Sequence, residues 1–550
     1  MIILTVLTIL GIIFQGVAMF RSGLLYNYGI GFFGPLARDG VWHEALVNQL
    51  KFALPPQNPG YAGTVLSNYH YFYDLLVAAV SRFFNINSSF LIYRFFPVVL
   101  SILLGVGTYI LAQRLFKNRT VSLFAVFFAY FASSFGWVVG LIKGEQIGGE
   151  SAFWANQPVS MNLNPPYAIS LVIIIFAIIL LDLYLKKPSI VKGVILAIAI
   201  GFLVGFKAYA GVVMLSGLFF LTLKKIFFDK NFSLLPIVIL SGGIFLATYL
   251  SISRGAASLI GFQPFWLIDT MIDAGDRVGI PNFTARRFAY LGGGKWFNYA
   301  AIELISLAIF FVGNLGTRII GLCAISKKFF KEDVHLFIFL MMGATIVPTI
   351  LLVQKGNPWN IIQFFYYFLY FAGLYAAASL KKFSIPVVIL ILLITPISSV
   401  TTFRGWFNPT PPAYLSVDEH EALTYLSKVP RGIVLKHLFD TTLRGKFTDP
   451  YIIPVYADSA YVSAYSGKEV YIEDVEQQIV LNTDYEGRLE DADRFFTEKD
   501  LNWSNKFLKD NDIRYVYLPK IYQLPMAEEE YSMKKIFENA GANVYEVDLK

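Results

Sequence analysis

Charged side chains are scarce in this chain. Only 15% of its 550 residues are Asp, Glu, Lys or Arg, whereas 56% are hydrophobic. Soluble globular proteins carry about 25% charged residues, which form the polar shell around their core. Because this chain lacks such a shell over most of its length, a wholly water-soluble protein is excluded and the lipid bilayer must replace water around it.

Acidic residues are especially few before residue 403. Residues 1–402 contain 28 Lys and Arg against 13 Asp and Glu, whereas residues 403–550 contain 17 against 25. The positive residues of the first part lie in short clusters between apolar runs, as the positive-inside rule describes for membrane proteins, so they do not indicate nucleic-acid binding. The change in composition predicts a transmembrane domain over residues 1–402 and a soluble domain over residues 403–550.

Several other features are missing. The one cysteine, Cys323, excludes an intrachain disulfide. The apolar N-terminus has no basic residues before it and no clear cleavage site, so we interpret it as a retained first span. Residues 403–550 contain no Gly-rich phosphate loop, metal-ligand spacing or nucleophile elbow. Their alternating helix and strand patterns predict a small α/β domain, with helices at 417–429 and 501–511 and strands at 431–438, 468–474, 513–519 and 543–549.

Apolar runs predict about eleven transmembrane helices. They cover residues 2–20, 90–114, 121–142, 167–185, 190–206, 208–223, 234–252, 300–323, 334–353, 362–380 and 384–402. With eleven spans all five Lys/Arg clusters between them fall on one side, which predicts a cytoplasmic N-terminus, an extracytoplasmic C-terminal domain and a multi-pass plasma-membrane protein. The longer loops 21–89, 143–166, 253–299 and 354–361 then lie outside, and the short apolar segment 70–84 is predicted to lie along the membrane surface.

The first outer loop contains Asp39, His43 and Glu44. In a helix Asp39 and His43 share one face, with Glu44 beside it. A carboxylate there could act as a general base, oriented by the histidine. The alternative is structural, because Asp39 also suits a helix N-cap.

His70 and Asp74 form a second pair four residues apart, among aromatic and amide residues suited to sugars. The alternative is an aromatic belt at the level of the lipid headgroups. Two His/acid pairs make a divalent metal conceivable, but their spacing matches no metal motif, and we predict no metal ligand.

The remaining predicted site residues are polar groups of later outer loops and span ends. They are Glu145, Glu150, Lys207, Arg286, Arg287, Asn360 and Gln363. The cations could hold a phosphate, and polar residues at membrane depth usually face a cavity. The alternatives are a solvated loop for the two acids, snorkelling to the headgroups for the cations, and helix capping for Asn360.

Several segments together resemble the GT-C superfamily of integral-membrane glycosyltransferases. They are GPLARDGVWHEALVNQL (34–50), PPQNPGYAGTVLSNYHYFYDLL (55–76), YRFFPVVLSILLG (93–105), AQRLFKNR (112–119), QKGNPWNIIQFFYY (354–367), DEHEALTYLSKVPRGIVL (418–435) and AYSGKEVY (464–471). The resemblance extends over almost the whole chain.

The resemblance implies a lipid-linked sugar donor, a polyprenyl phosphate or diphosphate. It further implies transfer, usually inverting, to a lipid, glycan or protein acceptor on the outer face. In the family an acid of the first loop acts as the general base or orients the acceptor, and the resemblance maps this acid onto Asp39. It maps a second acid onto Glu145 or Glu150. The paired acids common in the family's first loop are absent here, because Gly40 follows Asp39, so a metal requirement is not implied.

Two other functions fit the composition. A transporter or flippase usually has charges within spans and repeated halves. Here charges within the predicted spans are few, among them Glu303 and Arg318 in one helix, and no repeat is visible. A non-catalytic scaffold with the same fold is the third reading, since fold does not guarantee function.

Overall fold

The computed structural model describes residues 2–145, 147–154, 157–254 and 259–548. The chain begins with helix α1 (Ile2–Gly16). The next segment contains β1 (Leu24–Tyr26), β2 (Gly29–Phe32), α2 (Asp39–Leu50), α3 (Phe72–Phe84) and α4 (Ser88–Phe90), with a 3₁₀ turn at Gly34–Ala37 and a π-helical turn at Leu91–Phe95.

The membrane region follows. Its elements are α5 (Phe96–Phe116), α6 (Arg119–Phe131), α7 (Gly136–Lys143), α8 (Gln157–Leu163), α9 (Pro165–Lys186), α10 (Ile190–Phe206), α11 (Ala208–Phe227), α12 (Leu235–Ser253), β3 (Ile260–Phe262), α13 (Trp266–Asp273), α14 (Phe283–Gly292), α15 (Trp296–Leu315), α16 (Asp333–Leu351), β4 (Leu352–Gln354), α17 (Gln363–Ser379), α18 (Ile385–Ile394) and α19 (Ile397–Trp406). Short 3₁₀ helices lie at Glu150–Ala152, Gly316–Ala324, Phe329–Lys331, Pro358–Ile362 and Leu380–Lys382.

The C-terminal elements alternate between helices and strands. They are β5 (Ala413–Ser416), α20 (Val417–Lys428), β6 (Ile433–Lys436), β7 (Tyr451–Ile452), α21 (Ile453–Tyr456), α22 (Tyr461–Ser466), α23 (Val475–Leu481), α24 (Glu486–Thr497), α25 (Leu501–Asp510), β8 (Ile513–Pro519), β9 (Met533–Glu538) and β10 (Ala542–Val547), with 3₁₀ helices at Thr441–Lys446 and Glu528–Glu530.

The protein is a multi-pass integral membrane protein. Within the described residues eight helical segments are long and apolar enough to cross a bilayer, and the pair α6 and α7 adds a ninth, broken one. Two shorter apolar helices, α1 and α10, complete the set. Each of the eleven predicted spans coincides with one of these segments. The 3₁₀ helix Gly316–Ala324 forms the last part of the span that begins with α15.

The span of α6 and α7 is bent by 52° at residues 132–135. The polar groups freed at this break are bonded by residues far away in the chain: the Arg318 guanidinium donates to the Ala132 and Ser133 carbonyls, and the Ser398 and Ser399 hydroxyls donate to the Ser134 and Phe131 carbonyls. Because lipid offers no hydrogen bonds, such partners are what allow a helix to break at membrane depth.

By their contacts the residues form two compact units. Unit 1 contains residues 1–16 and 97–405, and unit 2 contains residues 17–96 and 406–550. The first outer loop therefore packs with the C-terminal residues, although the sequence division near residue 403 assigns it to the transmembrane domain.

Two sheets organise unit 2. In the first, β2 pairs antiparallel with β1 and with β5, and β7 is parallel to β5. In the second, β6 is parallel to β8, and β10 pairs antiparallel with β8 and β9. The strand predicted at 468–474 is wrong, because Val470 makes only an isolated bridge to Val434 before the chain turns. The other three predicted C-terminal strands and both helices are present.

Candidate active site

Helix α2, in unit 2, begins at Asp39 and is almost entirely buried. Of its twelve residues ten are buried, Asn48 is half-buried and Asp39 alone is exposed. The residue before it, Arg38, forms ion pairs with Asp474, at 3.8 Å, and with Glu476. A carboxylate in the first turn interacts favourably with the helix dipole. Asp39 is thus an anchored carboxylate at the surface of its unit.

His43 lies inside unit 2 and contacts a residue that its spacing did not suggest. Its Nδ1 is 2.7 Å from Asp74 Oδ1, and both side chains are buried. The pairing of His70 with Asp74 expected from their spacing is therefore wrong; the His70 ring instead stacks on Tyr69, with centroids 5.0 Å apart. The His43–Asp74 contact joins α2 to α3, so His43 fixes the helix that carries Asp39.

Glu44 is also buried, with 3% of its surface exposed. Burial raises its pKa to about 7, although hydrogen bonding with Ser89, Tyr465 and Tyr93 and the charge of Arg94 lower it. Asp39, not Glu44, is accessible from solution. Glu44 supports the helix from its inner side.

We expect Glu44→Gln to make the protein more resistant to heat at pH 8 and to change little at pH 5. Glu44 stays protonated in the folded state up to about pH 7, whereas its ordinary pKa is 4.5. Stability therefore falls as pH rises through that window, and above it the cost is about 3 kcal/mol. Thermal unfolding at both pH values measures this, with the exposed Glu145→Gln as control. An equal response of both variants would contradict it.

Unit 1 contains a chain of polar side chains at the end of three spans. Lys207 separates α10 from α11 and is 3% exposed. Its Nζ lies 3.3 Å from Asn164 Oδ1; the Asn164 amide donates to Gln363 Oε1 at 3.2 Å; and the Gln363 amide donates to Asn360 Oδ1 at 3.1 Å. Asn164 also caps α9 by accepting from the Tyr167 amide, which fixes its orientation. Three predicted residues, Lys207, Asn360 and Gln363, are thus brought together.

An aromatic cluster lies next to Asn360. The Trp359 ring contacts Trp154 and Trp266, with centroid distances of 5.4 and 5.5 Å. The Arg277 guanidinium lies over Trp154 and Trp359, 4.5 and 5.0 Å from their centroids. Sequence reasoning missed Arg277 and this grouping. The available signal was the presence of tryptophan in each of three predicted outer loops, 143–166, 253–299 and 354–361.

The acids of loop 143–166 occupy different environments. Glu150 is buried, and its two carboxylate oxygens accept from the Ser134 amide at 3.0 Å and the Ser134 hydroxyl at 2.5 Å. Burial raises its pKa, which these hydrogen bonds oppose. Glu150 therefore supports the break between α6 and α7, whereas Glu145 is exposed.

Arg287 is surrounded by carboxylates. Its guanidinium contacts Glu303 at 2.9 Å, Asp269 at 3.0 Å and Asp273, joining α13, α14 and α15. A guanidinium with three acidic partners does not attract a phosphate, so the geometry does not fit the role expected for Arg287. Arg286 is exposed. Among the described residues no three His, Cys, Asp or Glu side chains are placed to hold a metal ion.

No protein-family model matches the sequence, and no curated protein matches it significantly. Solved structures are similar to it. The oligosaccharyltransferase of Archaeoglobus fulgidus in its apo form is 14% identical, with a TM-score of 0.53 and coverage of 99% of this chain and 74% of that chain. The archaeal oligosaccharyltransferase AglB from the same organism, in complex with an inhibitory peptide and a dolichol-phosphate, is 12% identical, with a TM-score of 0.51 and coverage of 94% and 69%.

ArnT from Cupriavidus metallidurans in the apo state is 10% identical, with a TM-score of 0.48 and coverage of 99% of this chain and 98% of that chain. The two similarities to the Archaeoglobus enzyme identify the fold. The chain has the GT-C fold, and the predicted class, a polytopic helical membrane protein with a small C-terminal α/β region, is confirmed.

Proposed function

We propose that this protein is a membrane glycosyltransferase. It moves a sugar from a polyprenyl-phosphate-linked donor to a lipid, glycan or protein acceptor on the outer face of the plasma membrane, with its N-terminus cytoplasmic. The observation that carries the proposal is the position of Asp39, the one exposed residue of an otherwise buried helix.

Asp39 is the general base of the proposed reaction. Its carboxylate accepts the proton of the acceptor hydroxyl or amide as the acceptor atom bonds to the anomeric carbon of the sugar. The bond from that carbon to the phosphate oxygen breaks, and its electron pair leaves with the polyprenyl phosphate. Attack from the side opposite the phosphate inverts the anomeric centre.

The cations of unit 1 are assigned to the donor phosphate. Lys207 is a buried ammonium at the start of α11, and Arg277 lies at the tryptophan cluster; either charge stabilises the negative charge that develops on the leaving phosphate. Between α11 and α12 an apolar groove of about 460 Å³ is lined by residues such as Val212, Phe219 and Phe245, which suits an isoprenoid tail. Dolichol-phosphate in the AglB complex supports this class of donor.

The sugar itself is assigned to the aromatic cluster and the amides beside it. Tryptophan rings stack on the apolar faces of sugars, and the Asn360 and Gln363 amides can bond their hydroxyls. The two amides are already linked to each other and to Asn164, so they are held in position before a donor arrives.

A non-catalytic scaffold is the second function, and the absence of paired acids in the first loop favours it. A transfer assay separates the two. Purified protein in lipid is given a panel of polyprenyl-phosphate sugars and crude envelope acceptors, and release of free polyprenyl phosphate is followed. We expect acceptor-dependent release with at least one donor. Binding of donors without any release across the panel would support the scaffold, and movement of donor across sealed vesicles without release would support a flippase.

A further inference from the structure

The basic end of unit 1 contains a second cavity, of about 690 Å³. It lies where α5, α9 and α17 end and α16 begins. Helix α9 runs from this cavity, at Lys186, to the polar chain at Asn164, a length of roughly 33 Å for 22 residues. The cavity is therefore separate from the residues assigned to the sugar donor, and it lies at the end predicted to be cytoplasmic.

Cations outnumber acids around this cavity. The charged residues that line it are Arg114, Lys117, Lys186, Lys328, Lys381 and Lys382, against Asp182, Glu332 and Asp333. Two of the three acids already form ion pairs: Asp182 with Arg114 and Lys186, and Asp333 with two lysines outside the cavity lining. Lys117 and Lys381 form no ion pair within the described part of the chain, and Lys328 is 3.8 Å from Glu332.

The inner wall is built from buried groups. His335 is 1% exposed; its Nδ1 is 3.0 Å from the Tyr375 hydroxyl, and its ring stacks on Phe329 with centroids 4.2 Å apart. Its Nε2 is 3.7 Å from Glu332 and has no hydrogen-bond partner among the described residues. The cavity thus joins a cationic rim to a wall that is partly aromatic.

We propose that this cavity binds the headgroup of an anionic phospholipid. A phosphate accepts charge-assisted hydrogen bonds from several lysines at once, and basic pockets between transmembrane helices are sites for anionic lipids. Apolar side chains in the lining, including Phe116 and Phe329, suit the start of the acyl chains, which a free phosphate lacks. The inference does not depend on the glycosyltransferase proposal.

Native mass spectrometry of the full-length protein tests this, with phosphatidylglycerol and phosphatidylcholine as probes. The variant Lys117→Gln/Lys328→Gln/Lys381→Gln removes three exposed cations of the rim. The control Lys187→Gln/Lys230→Gln/Lys331→Gln removes three exposed lysines at the same end of the bundle but outside the cavity. Both lose the same charge, so a general attraction to anionic lipid weakens equally.

We expect the wild-type protein to bind phosphatidylglycerol saturably and in preference to phosphatidylcholine. The affinity for phosphatidylglycerol should be more than about tenfold lower in the rim variant and within about threefold of wild type in the control. Equal weakening in the two variants would overturn the site. Displacement of the lipid by inorganic phosphate at equal concentration would overturn the lipid assignment in favour of a soluble phosphate. Unchanged elution on size exclusion confirms that both variants are folded.

Discussion

Asp39→Asn is expected to lower the rate of polyprenyl-phosphate release by at least about 100-fold while the protein remains folded. Loss of a general base removes roughly 10²- to 10⁴-fold of rate. Arg38, not Asp39, is the N-cap of α2, so the substitution leaves the N-cap residue unchanged. Asparagine has nearly the shape of aspartate, and the helix loses the interaction of the first-turn charge with its dipole. The measurement is the transfer assay on purified wild-type and variant protein, with thermal unfolding as the check on folding.

The matched control for this variant is Asp484→Asn. Asp484 is an exposed acid of the same unit that contributes its backbone carbonyl, not its side chain, to the bond with Tyr61. Its variant should keep wild-type turnover. If Asp39→Asn also keeps wild-type turnover, the role of Asp39 is refuted, and the exposed Glu145 becomes the next acid to test ahead of Glu150, whose carboxylate already accepts from Ser134.

Lys207→Met is expected to reduce turnover by roughly 100-fold and to weaken donor binding. Removing one preorganised donor to a developing anion typically costs 10²- to 10³-fold. Methionine retains much of the side-chain length and leaves the apolar contacts of the α10–α11 junction in place. Steady-state rates over a range of donor concentrations measure the effect, and Lys207→Arg, which keeps the charge, should recover part of it.

Lys355→Met is the control for lost charge. Lys355 is an exposed lysine in the loop after β4, whereas Lys207 is buried and contacts Asn164. We expect it to leave turnover unchanged. Equal losses in Lys207→Met and Lys355→Met would contradict a specific phosphate site and would point to a general effect of surface charge on donor recruitment.

The membrane spans could be predicted because the requirement behind them is local. A span needs about 20 apolar residues and internal hydrogen bonds, and both can be recognised from the sequence of a single segment. Helices α3, α20 and α25 were found from their own patterns for the same reason. The prediction of a strand at 468–474 was wrong because an apolar–polar alternation does not reveal whether a neighbouring strand is available for pairing.

The contacts among the predicted site residues could not be predicted from their spacing. Spacing within one helix relates Asp39 to His43 and His70 to Asp74, whereas the contact that forms, His43 with Asp74, joins two helices. Arg287 gathers its acids from α13 and α15, which no spacing reveals. Lys207 and Gln363 were singled out because polar residues are costly at membrane depth, and that reason holds whatever their partners are.

The broken span of α6 and α7 also constrains how the protein is made. Its freed carbonyls at Phe131 and Ser134 are bonded by the hydroxyls of Ser399 and Ser398, which the ribosome adds about 265 residues later. At about 5–20 residues per second this delay is roughly 15–50 s. The late serines are missing throughout that interval, and Arg318, 185 residues after Ser133, is missing for most of it, so the lowest-energy form of the segment in lipid is at first a continuous straight helix. The bend is then a late event of biogenesis, completed only after the last span has entered the membrane.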